Sequence, residues 1–153
     1  MLSLFLIAIV GLTGWIKTRA NAQTRETLPS FDLAEGEQLY LSHCASCHGP
    51  NLEGQPNWRS PGQDGVLPAP PHDKSGHTWH HTDTALFAYT KLGGTTALAR
   101  MGVEFPSGMP EFGSQLSDTQ IWDILAYIKS TWPTKQSKIQ ATRSAAEHQN
   151  QRE

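Results

Sequence analysis

The chain has 153 residues, 37% of them apolar, a length that suits a single domain with short extensions at its ends. Its 14 acidic and 12 basic residues give a net charge of −2, which disfavours nucleic acid as a partner. The only two cysteines, Cys44 and Cys47, lie in one short motif, so no disulfide is available to join distant segments.

The N-terminal segment is almost wholly apolar up to residue 16 and then supplies the small-x-small pattern of a cleavage site, ending at Ala22. We therefore expect residues 1–22 to be a signal peptide and residues 23–30 a polar linker. A membrane tether formed by residues 2–16 is the alternative, because the basic residues follow the apolar run instead of preceding it. That run, however, is shorter than the roughly 20 residues that span a bilayer.

The first predicted helix begins at Asp32, a residue type that caps helices, and runs into Cys44. Gly36 lies inside this helix, where glycine costs about 1 kcal/mol relative to alanine. Such a residue indicates the close approach of another helix, and we expect that partner to be the last helix of the domain.

The helix leads into Cys44-Ala45-Ser46-Cys47-His48, the CxxCH arrangement that attaches a c-type haem. On one helical turn both thiols face the same side, where they can form thioethers with two vinyl groups of a porphyrin, and His48 can ligate the iron. Two alternatives fit less well. A thioredoxin-like redox pair needs a βαβ pattern that is absent, and a zinc site needs further ligands at finger spacing.

A long stretch rich in Gly and Pro follows, over residues 49–71, and predicts an ordered loop that wraps the haem. Trp58 and Arg59 in this loop are candidates for binding the haem propionates. The next ten residues, 72–81, contain four histidines. Three of these could bind copper: His77, His80 and His81. We favour instead a polar loop in which Trp79 and one histidine contact the haem edge.

Further helices are predicted after this loop. One begins at Thr82 or Asp83 and ends at Gly93-Gly94, and it is followed by a second loop. The last helix begins with a capping box, carries an apolar stripe over residues 121–128 and ends before Pro133. Residues 134–153 are polar without an apolar stripe, which predicts a flexible tail.

Two methionines are candidates for the second iron ligand. Met109 lies between a glycine and a proline shortly before the last helix, where a loop can bring its thioether across a haem. Met101 ends a run of alanine and leucine, and we interpret it as a packing residue.

Three motifs occur in order along the chain: GxxLYxxxCASCHG at residues 36–49, SGMPEF at 107–112 and LSDxQIWDILAYIKSxW at 116–132. With these motifs the chain resembles a class I bacterial cytochrome c, with a cytochrome c domain over residues 31–133. The resemblance implies an all-α fold of three to five short helices and loops around one covalent haem, with the first and last helices packed together.

The resemblance also implies roles for single residues. Thioethers form at Cys44 and Cys47, His48 is the proximal ligand and Met109 the distal one. In such proteins a proline-containing loop offers a carbonyl to the Nδ1 proton of the proximal histidine. Residues 67–71, with Pro70 among them, are the candidate loop here, and the resemblance does not say which carbonyl serves.

The expected function is that of a periplasmic single-electron carrier, not an enzyme, since the family attaches its haem outside the cytoplasmic membrane. Its partners would be redox proteins such as a membrane oxidoreductase or a terminal oxidase, and it could be a subunit of such a complex. Two alternatives remain. The histidine loop could make it a copper-handling protein, and an open distal site could make it a peroxidase or a gas-binding protein.

Overall fold

The structure, a computed structural model, describes residues 30–152. Six α-helices follow one another in this part of the chain: α1 (Leu33–His43), α2 (Ala45–His48), α3 (Asp83–Leu92), α4 (Gly94–Arg100), α5 (Asp118–Ser130) and α6 (Thr134–Asn150). A single 3-10 turn lies at Thr78–His80, and there is no strand between residues 30 and 152. The prediction of an all-α fold is confirmed. The helix count exceeds the predicted three to five because of α4, where a loop was expected, and α6.

The proposed signal peptide or tether, and all but the last residue of the proposed linker, lie outside the described residues. Among the helices of residues 30–152, none has the length and apolar character needed to cross a membrane.

The first and fifth helices pack against each other, as predicted. Asp32 caps α1, its carboxylate accepting hydrogen bonds from the backbone N–H groups of Ala34 and Glu35 at 3.0 Å each. The N–H of Asp32 in turn donates to the carboxylate of Asp123 in α5, at 2.8 Å. Gly36 lies so close to α5 that a Cβ atom there would collide with the backbone carbonyl of Asp123. Glycine is therefore required by the crossing itself.

The core is built on the apolar stripe of α5. Ser117 and Gln120 form the predicted capping box, each bonding the backbone of the other. From there the stripe packs against α1 and the loops. The buried cluster consists of Tyr40, Leu52, Leu86, Phe112, Leu116, Ile121, Ile124, Leu125, Ile128 and Trp132. Because α1 runs directly into the CxxCH motif, this core fixes the position of the motif.

The segment predicted to be a flexible tail forms α6 over most of its length. This helix has no apolar stripe, and its two buried residues, Gln140 and Ser144, are polar. The Nε2 of Gln140 donates to the carboxylate of Asp83 at 2.7 Å, and the hydroxyl of Ser144 accepts the N–H of Asp83 at 3.0 Å. The helix thus docks beside the 3-10 turn through hydrogen bonds, which a search for apolar periodicity does not detect.

Candidate haem-binding site

The CxxCH motif forms a helical turn at the end of α1. Cys44 N–H donates to the Tyr40 carbonyl at 2.8 Å and His48 N–H donates to the Cys44 carbonyl at 2.9 Å, so the turn continues from α1 into α2. No disulfide joins Cys44 and Cys47; Cys44 is half-buried and Cys47 exposed. Burial, reinforced by the neighbouring Cys47, raises the pKa of Cys44 to about 12.

His48 is held in a defined orientation by the loop opposite. Its ring is buried, and Nδ1 lies 2.8 Å from the carbonyl oxygen of Pro70, a residue of the loop that the resemblance indicated. A carbonyl only accepts, so Nδ1 is the protonated nitrogen. Burial lowers the pKa of His48, although the bond to Pro70 acts in the other direction. The ring is neutral at pH 7, which leaves the lone pair of Nε2 free to bind iron.

The two candidate methionines lie in different surroundings. Met109 is half-buried and packs against the same core cluster as Cys44. Its backbone is fixed on both sides, since its carbonyl accepts the N–H of Gly94 at 3.0 Å and its N–H donates to the Ser107 hydroxyl at 3.3 Å. Met101 is 53% exposed, which corrects its interpretation as a packing residue. Of the two, Met109 is the one that packs against the core cluster.

Two buried nitrogens lack hydrogen-bond partners in this part of the molecule. They are Nε1 of Trp79 and Nδ1 of His77, and neither meets an acceptor or donor within residues 30–152. A buried polar group left unpaired costs about 1–3 kcal/mol, so each calls for a group that the protein itself does not supply. The carboxylates of haem propionates are acceptors of the required kind. The residues present therefore fit a haem.

Trp58 lies next to one of these two residues, His77, and Arg59 lies over Trp58. The Trp58 ring stacks on His77 with centroids 5.2 Å apart and an angle of 16° between the planes. The guanidinium of Arg59 lies 4.0 Å from the centroid of the Trp58 ring. The loop thus stacks Trp58 on His77 and places the exposed guanidinium of Arg59 over the Trp58 ring. That Trp58 and Arg59 bind the haem propionates stays a prediction.

Comparison with known proteins agrees with this geometry. A family model described as Cytochrome c matches residues 33–132, about the span from α1 to the end of α5. The chain belongs to the cytochrome c family. Membership implies a covalent haem c, which Cys44, Cys47 and His48 fit, and a role in electron transfer. It also accounts for the all-helical fold.

One curated relative of this cytochrome is described as a thiosulfate dehydrogenase of Stutzerimonas stutzeri (strain A1501). It is 29% identical over 135 residues, an alignment that covers 80% of the present chain. The cytochrome spans only 38% of the length of that relative. No solved structure matches the chain significantly.

The histidine loop of the cytochrome does not form the copper site considered above. His77 and His81 meet edge to face at 5.3 Å, whereas His80 stacks on Trp79 at 3.7 Å. Throughout residues 30–152, no group of three or more His, Cys, Asp or Glu side chains converges as metal ligands would. The rings of His77, His80 and His81 make these aromatic contacts instead of converging on one position.

His72 is a residue of the site whose position the sequence analysis missed. Its ring stacks directly on the ring of His48, with centroids 4.0 Å apart. The one signal in the sequence that could have located His72 is its position two residues after Pro70, in the loop segment that passes the proximal ligand. The four histidines of the loop instead suggested a common role, which the structure does not support.

Proposed function

We propose that this cytochrome is a periplasmic one-electron carrier whose haem iron is closed by His48 and Met109. The observation that carries the proposal is the state of His48: its ring is neutral, with Nδ1 bonded to Pro70 and Nε2 free for the metal. Met109 supports it, because its side chain packs against the core cluster that also holds Cys44.

A haem with two protein ligands supplies a one-electron Fe(II)/Fe(III) couple and leaves no open position for a substrate. Electron transfer by this couple is fast when the ligands of the iron do not move, and the chain holds both ligands in position. The bond from His48 to Pro70 fixes one ligand, and the backbone bonds of Met109 to Gly94 and Ser107 fix the other. Little has to reorganise when the charge on the iron changes. A redox protein, as donor or acceptor, is the partner that this arrangement serves.

The experiment is a comparison of two methionine variants of the oxidised holoprotein. Ligation by a methionine sulfur gives a weak absorption band at the red end of the visible spectrum. We expect Met109→Ala to lose this band and Met101→Ala, a matched control at an exposed position, to keep it. The same variants are then mixed with carbon monoxide in the reduced state.

Two results would contradict the proposal. One is a band that survives in Met109→Ala, which would assign the sixth position to another group. The other is rapid binding of carbon monoxide by the unaltered protein, which would indicate an open distal site and favour a peroxidase or a gas-binding protein.

A second candidate function follows from the thiosulfate dehydrogenase that the chain resembles. The chain would then itself oxidise thiosulfate, or would be the electron-accepting part of an enzyme that does. Incubating the oxidised holoprotein with thiosulfate tests this. Reduction of the haem by thiosulfate alone supports the activity, and an unchanged spectrum together with reduction by ascorbate leaves the carrier function.

The periplasmic location is tested by mass spectrometry of the protein recovered from separated cell fractions. We expect one species in the periplasmic fraction that begins after Ala22 and carries the added mass of one haem. If the protein is instead recovered from the membrane fraction with residues 2–16 intact, the carrier is tethered to the membrane and the proposal of a soluble carrier is wrong.

A further inference from the structure

The ring of His72 lies face to face with the ring of His48. The two centroids are 4.0 Å apart, and the planes differ by 23°. His48 is buried and His72 is half-buried, and the ring of Tyr40 also approaches His72 edge-on at 6.3 Å. One face of the His48 imidazole is therefore covered by a flat aromatic group.

The backbone of His72 is anchored at both ends. Its N–H donates to the Leu52 carbonyl at 2.8 Å, and its carbonyl accepts the indole N–H of Trp132 at 2.7 Å. Leu52 is buried and has a φ of 68°, a left-handed conformation that costs a non-glycine residue about 1–2 kcal/mol. The hydrogen bond to His72 is therefore accepted by a residue in a strained backbone conformation. Such a conformation persists only where the surrounding structure holds it in place.

The side chain of His72 is anchored as well. Its Nδ1 lies 2.8 Å from the hydroxyl of Thr78, and that hydroxyl donates its own proton to the Pro71 carbonyl at 3.3 Å. The Thr78 hydroxyl thus links the ring of His72 to the backbone of Pro71. The ring can neither slide nor flip without breaking this chain of bonds.

The contacts of His48 show what this fixed ring does. The bond to Pro70 holds one edge atom, Nδ1, but a single hydrogen bond leaves the imidazole free to tilt about it. A flat, anchored ring stacked on one face removes that freedom. The plane of an axial imidazole decides which iron d orbitals its π system overlaps, so groups that orient a ligand also tune the metal.

We propose that His72 is a positioning residue for the iron ligand: its anchored ring holds the plane of the His48 imidazole. The inference rests on the proposed ligation of iron by His48. It adds a second orienting contact, through the face of the ring, to the hydrogen bond from Pro70.

The test compares four holoprotein variants by proton NMR of the haem methyl groups in the oxidised state and by the midpoint potential. In His72→Ala the stacked ring is lost, and we expect the methyl resonances to change in order or spread and the potential to shift. His72→Phe keeps a flat ring and should retain the original order. Thr78→Val keeps the ring but frees it, and should produce a smaller change in the same direction.

The fourth variant, His148→Ala, removes an exposed histidine near the end of α6 and should leave spectrum and potential unchanged. If His72→Ala does not fold, the pair Thr78→Val and His72→Phe still decides the question. A methyl pattern and a potential that stay unchanged in all soluble variants, while thermal stability falls, would reduce His72 to a packing residue and overturn the inference. A failure of the proposed function looks different, because the unaltered protein itself would then lack a low-spin spectrum.

Discussion

Two regions hold the structure together by opposite means. At the crossing of α1 and α5 the helices approach through a glycine and an apolar stripe, with Asp123 as a polar bond at one end. At the docking of α6, the contact is made by polar groups, which we call the Asp83 cluster: Asp83, Lys129, Gln140 and Ser144.

The two contacts are made specific by different properties of the side chains. The crossing depends on shape, because a backbone carbonyl occupies the space where a side chain at residue 36 would be. The Asp83 cluster depends on direction, because the Asp83 carboxylate accepts from both Lys129 and Gln140, at 2.6 and 2.7 Å. Substitutions can separate the two, since added volume harms the first and lost hydrogen bonds harm the second.

The largest effect is expected for Gly36→Ala. The new methyl group would collide with the Asp123 carbonyl, which belongs to a helix and cannot yield cheaply. We expect the free energy of unfolding of the holoprotein to fall by about 3 kcal/mol, even though alanine favours the helix itself. Denaturant unfolding measures this. Glu37→Ala, at the exposed neighbouring position, should change stability by less than about 0.5 kcal/mol. Equal stabilities of the two variants would show that the crossing is not tightly packed.

A smaller effect is expected when the polar bond of the crossing is removed. Asp123 is 3% exposed and accepts the N–H of Asp32, the residue that caps α1. In Asp123→Ala this N–H loses a charged acceptor, and we expect a loss of about 2 kcal/mol in the same unfolding measurement. Asp123→Asn keeps an acceptor oxygen and should cost clearly less. An asparagine variant as unstable as the alanine variant would mean that the charge, not the hydrogen bond, matters.

A substitution in the Asp83 cluster should lower the free energy of unfolding less than a substitution at the crossing. Gln140→Ala removes one donor, but Lys129 still pairs with Asp83, so no carboxylate is left without a partner. We expect a loss of about 1 kcal/mol and faster amide exchange in α6. Gln149→Ala, the same substitution at an exposed position of α6, is the control. If both variants exchange alike, Gln140 does not hold the helix in place.

The contrast between the regions also explains what could be predicted from the sequence. The crossing was predictable, because Gly36, the apolar stripe and the capping box at Ser117 are local patterns with one structural solution. Attachment at the CxxCH motif was predictable for the same reason. The Asp83 cluster was not, since its bonds join residues up to 61 positions apart and each residue is unremarkable alone. The stack of His72 on His48 depends likewise on how a long loop closes.

The smallest effect concerns pH and is expected in the histidine loop and in α6 beside it. Burial lowers the pKa values of His77 and His81, and nearby positive charge from other histidines and from Arg59 and Arg143 acts in the same direction. Above pH of about 6.5 both rings are neutral in the folded and the unfolded chain, so stability does not depend on them. Below that pH the unfolded chain binds protons that the folded one resists, and stability falls.

Acidification from neutral pH should therefore loosen the histidine loop and α6 before it affects the crossing of α1 and α5. Amide exchange, corrected for its intrinsic dependence on pH, measures this for each helix separately. The double variant His77→Phe, His81→Phe keeps aromatic rings in both places but removes their titration, so the loosening should become smaller. The part that remains comes from His72, because burial lowers its pKa as well. If the double variant loosens as much as the unaltered protein, the pH dependence arises elsewhere. The two regions would then differ in packing alone.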